Sequence, residues 1–251
     1  HYSRASLMRR LQRAAESLKV SDFSSLATCI LNDDDAFEHF LRQMSITVTE
    51  MYRDPQFYMG LREHVVPVLK TFPFAKIWHA GCATGEEVYS NAILLEEEGY
   101  LSRARLYATD FNKHALDTAE KGIYPARTLP ATVANYERAG GAAQLSDYYT
   151  EAYGLIKYKD YLRKNITFSY HNLVTDEVFG EMHVVFCRNV LIYFDKTLQD
   201  QVLTKFAKSL RHGGFLCLGA KESLNFSAVR HMFEPVDRKL RIYRKTDMSH
   251  V

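Results

Sequence analysis

The stretch from residue 78 to residue 90 limits what this 251-residue chain can form more strongly than any other part. An apolar run leads into small residues, and these lead into a helix-like segment over 88–95. The order predicts a strand, a tight turn and a helix, because Gly81 and Gly85 permit a sharp backbone turn. Such a turn, at the carboxyl end of a strand, can hold a nucleotide-like cofactor beside the unpaired N–H groups of the helix start.

The residues of this turn indicate which kind of cofactor fits. The spacing of Gly81 and Gly85 differs from the G-x-G-x-x-G fingerprint of dinucleotide sites. Glu86 and Glu87 lie where a pyrophosphate would bind, so they disfavour an anion and favour a ligand with an amine or a sulfonium group. S-adenosylmethionine (SAM) carries both groups. An ordinary strand-to-helix turn without a ligand is the alternative.

The composition predicts a globular, cytoplasmic protein. Apolar residues make up 47% and charged residues 25% of the chain. No apolar run approaches the roughly 20 residues that span a bilayer, and Arg9 and Arg10 interrupt any apolar core of a signal peptide. The four cysteines form no C-x-x-C pair, which favours free thiols, and the ten histidines show no metal-ligand spacing. The sequence thus predicts neither a metal site nor insertion into a membrane.

The first 20 residues predict a basic amphipathic helix, with five basic residues against one acidic residue. This helix is either a solvated surface or a docking site for an acidic partner. Nucleic acid is disfavoured as the partner because the remaining chain is not basic. Ser21 is the predicted N-cap of a second helix, and the aspartates at 33–35 begin a third. Residues 1–45 are therefore predicted to form a small helical domain.

Residues 46–75 join this part to the rest of the chain as a predicted linker followed by a helix over 57–69. The linker mixes hydroxyl groups, an aromatic ring and an arginine. A segment of this kind that crosses a cleft would place Thr49 and Arg53 over a bound ligand. The alternative is a plain linker in which Arg53 is solvated.

Residues 76–251 alternate between strand-like and helix-like segments, which is typical of a parallel α/β sheet. Strand 105–110 ends in Asp110, where such sheets hold a ribose by its hydroxyl groups, although an aspartate there also often caps a helix. Strand 182–187 is followed by Arg188, at the edge where these sheets bind ligands. The remaining predicted elements are helices over 112–121 and 196–210 and strands over 165–171, 215–218 and 239–244, the last a candidate antiparallel strand.

Residues 123–164 interrupt this alternation. They are rich in tyrosine and contain a pair of adjacent glycines, which predicts an inserted subdomain of short strands and loops. Its tyrosines either form a contact surface or pack internally.

Five segments occur in an order that resembles the CheR family, the chemotaxis receptor methyltransferases: 47–53, 83–90, 108–110, 171–173 and 186–195. The similarity runs over nearly the whole chain. It implies an α/β fold with a Rossmann-like SAM-methyltransferase sheet, a small N-terminal helical domain and a small inserted β-subdomain. In some family members the inserted subdomain tethers a receptor tail.

The resemblance also implies the activity and the site. The family transfers methyl from SAM to glutamate side chains of chemotaxis receptors, giving γ-glutamyl methyl esters and S-adenosylhomocysteine. Its N-terminal helical domain meets the cytoplasmic helices of the receptor, which matches the basic helix. The positions that match the family's catalytic candidates are Arg53, Arg188 and Tyr193. Those that match its cofactor site are Thr47 (often asparagine in the family), Thr49, Arg53, Ala80, Gly81, Glu87, Asp110, Phe111, Asn172, Leu173, Arg188 and Asn189.

This chemistry needs few specialised side chains. A glutamate carboxylate, with an ordinary pKa of about 4.3, is already ionised at neutral pH and requires no general base. The protein has to align oxygen, methyl carbon and sulfur and to exclude water. We expect Asp110 to hold the ribose and Glu87 to act at the methionine end of the cofactor or on nearby backbone, with its negative charge complementing the ammonium. Arg53 and Arg188 can each fork onto a carboxylate.

Three other readings remain open at this stage. A nicotinamide-dependent oxidoreductase is disfavoured by the missing fingerprint and by the two acids at the turn. A non-catalytic module that senses SAM in a chemosensory pathway is disfavoured by the presence of Arg53, Arg188 and Tyr193. A SAM-dependent methyltransferase of another protein or small molecule would share the same cofactor site.

Overall fold

The computed structural model describes residues 4–44 and 49–246. Its first part is three helices, α1 (Arg4–Ser17), α2 (Phe23–Asn32) and α3 (Asp34–Met44). They share a small apolar cluster built on Ala14, Ala15 and Leu26. No helix in the described ranges is long and apolar enough to cross a membrane.

The N-cap of α2 differs from the prediction. Asp22, and not Ser21, occupies the cap, since its carboxylate accepts the backbone N–H of Ser25 at 2.8 Å. Ser21 instead donates its hydroxyl to the carboxylate of Asp22. Both residue types are good caps, and an ionised carboxylate is the stronger acceptor for an N–H at a helix start.

A continuous helical segment follows the linker. Helix α4 (Pro55–Gly60) passes through a π-helical turn (Leu61–Val65) into α5 (Val66–Leu69). The sequence predicts the helix but not the π-turn. Pro67 supplies the physical reason, because it has no N–H to donate to the preceding turn and its ring crowds the carbonyl there.

A seven-stranded sheet forms the centre of the larger part, in the order β6-β2-β1-β7-β8-β10-β9. Its strands are β1 (Ala75–Ala80), β2 (Ala104–Asp110), β6 (Ile166–Tyr170), β7 (Met182–Cys187), β8 (Leu210–Leu218), β9 (Phe233–Asp237) and β10 (Ile242–Lys245). The first five in the order run parallel, whereas β10 is antiparallel to both its neighbours. The α/β prediction is thereby confirmed. The order reverses at β1, between β2 and β7, where such sheets bind ligands.

Helices and side chains cover both faces of this sheet. The helices are α6 (Glu86–Glu97), α7 (Lys113–Lys121) and α10 (Lys196–Ser209). Neighbouring residues of one strand point to opposite faces. Ile77 accordingly belongs to one buried cluster and Trp78 to a second one.

Strand β8 begins earlier than expected, at Leu210. The predicted glycine turn at 212–214 therefore lies inside the strand, where Gly213 has a positive φ of 72°. The pairing of β7 with β8 is irregular between Met182 and Val184, which accommodates this stretch.

The inserted part contains a second, three-stranded antiparallel sheet, in the order β3-β5-β4. Its elements are β3 (Ile123–Pro125), α8 (Leu129–Arg138), β4 (Tyr149–Ala152), β5 (Leu155–Tyr158) and α9 (Asp160–Arg163). The prediction of short strands and loops missed α8, whose first turn carries a proline that suits a helix start. Four of the tyrosines are buried and pack internally: Tyr124, Tyr136, Tyr148 and Tyr158.

Candidate functional site

The turn between β1 and α6 has the strained backbone that its glycines predict. Gly81 has a φ of +77°, Ala83 of +48° and Gly85 of +92°. The N–H of Gly81 donates to the carbonyl of Thr109 at 2.8 Å, which ties the turn to the end of β2. Helix α6 begins directly afterwards with Glu86, so its first N–H groups face the carboxyl edge of the sheet.

The inserted part holds this turn from outside. The hydroxyl of Tyr124 donates to the carbonyl of Thr84 at 2.7 Å. A Cβ on Gly85 would lie 2.8 Å from the Cβ of Ala119 and 3.2 Å from the Tyr124 hydroxyl. The turn therefore has no room for a side chain at Gly85.

Asp110 ends β2 and supports the same turn. One carboxylate oxygen accepts the N–H of Ala83 at 2.8 Å, and the other accepts the N–H of Asn112 at 2.9 Å. Burial raises the pKa of Asp110, while these two hydrogen bonds oppose the rise. A carboxylate oxygen has two acceptor positions, so each oxygen can still accept one donor such as a ribose hydroxyl.

Arg188 is the centre of an ionic cluster. Its Nη1 lies 3.0 Å from the carboxylate of Glu87, and its Nη2 lies 2.8 Å from that of Asp54. Both nitrogens also lie 3.4 Å from the carbonyl oxygen of Arg53, and the guanidinium carbon lies 3.9 Å from the ring centre of Phe57. The guanidinium of Arg188 is predicted from the sequence to bind a ligand carboxylate. In the structure it instead contacts two carboxylates and a linker carbonyl of this chain.

Glu87 is held from a second side by His79. The Nδ1 atom of His79 lies 3.2 Å from the other carboxylate oxygen, and the ring stacks on Phe186 at 4.6 Å. Burial raises the pKa of Glu87, but the hydrogen bond from His79 and the charge of Arg188 outweigh it, so the pKa lies below its ordinary value. Glu87 therefore stays ionised at neutral pH and can only accept, which places the hydrogen on Nδ1 of His79.

Glu222 is a further organising residue, and local sequence patterns do not reveal its role. It is buried, and its carboxylate accepts backbone N–H groups at 2.6–3.0 Å from Gly219, Asn189, Val190 and Leu191. These bonds fix the segment after Arg188, in which Asn189 has a φ of +62°. In the sequence, Glu222 is marked only as an acid that follows a strand and a glycine. This pattern does not indicate which distant backbone groups it binds.

Asn172 and Leu173 lie beside the end of β2. The N–H of His171 donates to the carbonyl of Asp110 at 3.1 Å, which places the end of β6 at the same edge. The side-chain oxygen of Asn172 accepts the N–H of Val174 at 2.9 Å, whereas Leu173 is buried.

The remaining predicted residues take several positions. Ala80 is buried at the end of β1, and Phe111 is half-buried after Asp110. Tyr193 ends the short turn after Arg188 and is also half-buried. Thr49 borders a cavity of about 190 Å³ between the linker and the inserted part. Thr47 lies outside the described residues.

Reactive side chains are scarce at this edge. Burial raises the pKa of the Cys82 and Cys187 thiols well above the ordinary value, so neither thiol supplies a thiolate at neutral pH. Within residues 4–44 and 49–246, no group of three or more histidine, cysteine, aspartate or glutamate side chains is placed to hold a metal ion. The arrangement suits binding and alignment of two reactants rather than covalent catalysis by the protein.

Comparison with known proteins agrees with this geometry. The sequence model of the CheR methyltransferase SAM-binding domain matches residues 47–242. A protein of Pseudomonas putida named as a methyltransferase, Cher3, is 48% identical over 246 residues, covering 98% of this chain and 90% of that protein. The chemotaxis protein methyltransferase of Listeria monocytogenes is 30% identical over 225 residues, covering 89% of this chain and 83% of that protein.

A second chemotaxis protein methyltransferase and one solved structure extend the comparison. The enzyme of Salmonella typhimurium is 29% identical over 236 residues, covering 90% of this chain and 77% of that protein. The structure of magnesium protoporphyrin IX methyltransferase from Synechocystis with bound SAM has 14% identity, 76% coverage of both chains and a TM-score of 0.41. On the family match and the relatives, this chain belongs to the CheR methyltransferase family and is a SAM-dependent methyltransferase.

Proposed function

We propose that the protein methylates glutamate side chains of chemotaxis receptors, giving γ-glutamyl methyl esters. The observation that carries this proposal is that the two thiols near the carboxyl edge of the sheet, Cys82 and Cys187, supply no thiolate, which suits a nucleophile that arrives already ionised. A glutamate carboxylate is such a nucleophile. The names of the relatives from Listeria and Salmonella point to the same pathway.

The cofactor is held by two carboxylates in this proposal. Asp110 accepts the ribose hydroxyls on the lone pairs that Ala83 and Asn112 leave open. Glu87, kept ionised by His79 and Arg188, faces the ammonium of the methionine part. The rest of the cofactor site consists of Thr47, Thr49, Arg53, Ala80, Gly81, Phe111, Asn172, Leu173, Arg188 and Asn189.

The transfer itself is a direct displacement. SAM, when bound, supplies a methyl group that its sulfonium already activates. The substrate oxygen would form the new bond to that methyl group, and the bond to sulfur would break with its electron pair left on sulfur, so no side chain of this chain has to move a proton. Arg53 and Tyr193 orient the substrate carboxylate. Arg188 acts by fixing Glu87 and the carbonyl of Arg53.

The same proposal assigns the remaining parts of the chain. Residues 1–45 form the receptor-facing helical domain, residues 46–75 the linker and helix, and residues 76–251 the methyltransferase domain. Arg9 and Arg13 are exposed on α1, where they can meet acidic receptor helices on the cytoplasmic side. With this partner, we propose that the protein acts in the cytoplasm.

The decisive experiment is a methyl-transfer assay with radiolabelled SAM and membranes that contain chemotaxis receptors, followed by mild base. Counts released as methanol would establish a carboxyl methyl ester. Counts that resist base, or SAM binding by calorimetry without transfer, would refute receptor glutamate methylation. Asp110→Asn should chiefly weaken SAM binding, and unchanged affinity in that variant would remove Asp110 from the site.

A further inference from the structure

A second polar cavity lies outside the site described above. It has a volume of about 110 Å³, and we call it the arginine pocket, lined by Asn225, Arg230, Pro235, Arg238, Arg241 and Tyr243. The residues come from the loop after β8 and from the β9–β10 hairpin. Three arginines line this one small cavity, a composition that favours an anion.

The positive charge of the arginine pocket is not neutralised within the described part of the chain. Arg230 donates to the carbonyl of Phe233 at 2.7 Å, and Arg241 donates to that of Ala220 at 3.4 Å. Neither arginine, nor Arg238, forms a salt bridge with a described carboxylate. Positive charges that line one cavity repel each other, and a bound oxyanion reduces that repulsion.

The acids nearest in sequence do not fill this role. Glu234 is exposed on β9. Asp237 uses one carboxylate oxygen to accept the backbone N–H groups of Lys239 and Leu240, at 2.8 and 2.9 Å. These bonds shape the hairpin that carries Arg238 and leave the pocket to an external anion.

An uncharged donor completes the arginine pocket. Tyr243 is only 4% exposed and lines the cavity. Its hydroxyl makes no hydrogen bond with the residues that the structure describes. A phenolic hydroxyl can donate one hydrogen bond, and an oxyanion in the cavity would accept it.

One side of the arginine pocket, at Arg241, reaches the edge of the sheet at which the candidate active site lies. The N–H of Leu218 donates to the carbonyl of Arg241 at 3.1 Å, and Ile242 pairs with Cys217. These contacts place the start of β10 beside the carboxyl end of β8. The loop that begins there carries Glu222, which fixes the segment after Arg188.

An exposed aromatic ring adjoins the arginine pocket. Phe226 follows Asn225 and is 92% exposed, with the ammonium of Lys196 lying 5.7 Å from its ring centre. The loop is fixed behind it, because one carboxylate oxygen of Asp200 accepts both the hydroxyl of Ser227 and the N–H of Ala228 at 2.7 Å. An aromatic ring held in water beside unpaired arginines has the composition of a protein interface.

We propose that the arginine pocket binds a carboxylate side chain of the protein substrate, next to the glutamate that is methylated, while Phe226 packs against an apolar residue of the same segment. The inference rests on the proposed function and names the substrate segment as acidic and amphipathic. A helix offers both groups from one face, since residues three or four apart are neighbours there. Arginine forks onto a carboxylate with two parallel hydrogen bonds, which makes the contact selective for acidic segments.

The test compares Arg238→Glu and Phe226→Ser with Lys76→Glu, a matched charge change at an exposed position near the opposite end of β1. Methyl-transfer kinetics are measured against receptor concentration and against SAM concentration. We expect Arg238→Glu to raise the KM for receptor about tenfold and to flatten its dependence on ionic strength, with the KM for SAM unchanged. Phe226→Ser should raise the KM for receptor alone, and Lys76→Glu should behave as the parent.

Two results would overturn the proposal separately from the proposed function. If the parent methylates receptors and both pocket variants keep its KM for receptor, the arginine pocket plays no part in recognition. If inorganic phosphate binds the parent but not Arg238→Glu by calorimetry, and the KM for receptor is still unchanged, the pocket is an anion site unrelated to the substrate. A parent that methylates no receptor refutes the proposed function, and this inference falls with it.

Discussion

Replacing Glu87 by glutamine should test the ionic cluster most directly. The change keeps the shape of the side chain but removes the charge that Arg188 meets at 3.0 Å and His79 at 3.2 Å. The side chain of Arg188 is 2% exposed, so water cannot replace the lost partner. The remaining partner, Asp54, is 47% exposed and is therefore screened.

The structure sets the expected magnitude. Breaking a buried ion pair on one side costs about 3–5 kcal/mol, and the retained Asp54 contact argues for the lower end, about 3 kcal/mol. Asp54→Asn removes a partner that is half in water and should cost only about 0.2–1 kcal/mol. The two variants together separate the buried contact from the exposed one.

The loss should depend on pH with a defined sign. Because the folded pKa of Glu87 lies below its unfolded value, its ionised form stabilises the fold above the unfolded pKa, and this contribution is lost as pH falls through the folded pKa. The free energy of unfolding of the parent should therefore exceed that of Glu87→Gln at neutral pH, and this difference should decrease in acid. Urea unfolding followed by circular dichroism at neutral and acidic pH measures both quantities. Equal losses for Glu87→Gln and Asp54→Asn, or a gap that does not depend on pH, would refute a buried, ionised Glu87.

Three other substitutions have defined outcomes. Gly85→Ala should lower the free energy of unfolding by more than about 2 kcal/mol in thermal unfolding, because a positive φ adds to the clash with Ala119. Gly99→Ala, with the same sign of φ but open space, should lower it by about 1 kcal/mol. Equal losses in the two variants would contradict the packing argument. Glu222→Gln should lower kcat/KM for SAM-dependent transfer by about tenfold or more, since an amide cannot accept from all four N–H groups; parent-like kinetics would show that the Arg188 segment keeps its shape without it. His79→Phe should weaken SAM binding by about tenfold in calorimetry, and His79→Asn should recover part of it by restoring a donor to Glu87. Equal affinity in both variants would show that the hydrogen bond from His79 to Glu87 does not support SAM binding.

Local patterns predicted much of the fold. The glycine turn, the acid that ends β2 and the alternation of strands and helices are all properties of short stretches, and each has a physical reason to form that structure. The antiparallel last strand followed from its alternation of side chains. In the structure this strand begins at Ile242 and not at residue 239, and the glycine pair predicted as a turn lies within β8.

The rest depended on partners that are distant in the sequence. In the sequence His79 is an ordinary strand residue, and only the fold brings the carboxylate of Glu87 within hydrogen-bond distance of it. Glu222 acquires its role from backbone N–H groups about thirty residues away. The fork of Arg188 could be predicted as a carboxylate site, but the sequence did not show that both carboxylates belong to this chain. Likewise, only packing decides that Tyr124 and Tyr158 are interior residues.

The contact between Tyr124 and Thr84 has a thermodynamic consequence. The hydroxyl of Tyr124, in the inserted part, is hydrogen-bonded to the turn that borders the cofactor in the proposed function, and Gly85 leaves no clearance between them. If SAM binds at this turn as proposed, a molecule that docks on the inserted part and alters this hydrogen bond would change the affinity for SAM. By reciprocity, SAM then changes the affinity for that molecule by the same factor. The inserted part would then be thermodynamically linked to the proposed cofactor site. The coupling free energy could be measured either as a change in SAM affinity or as a change in affinity for the docked molecule.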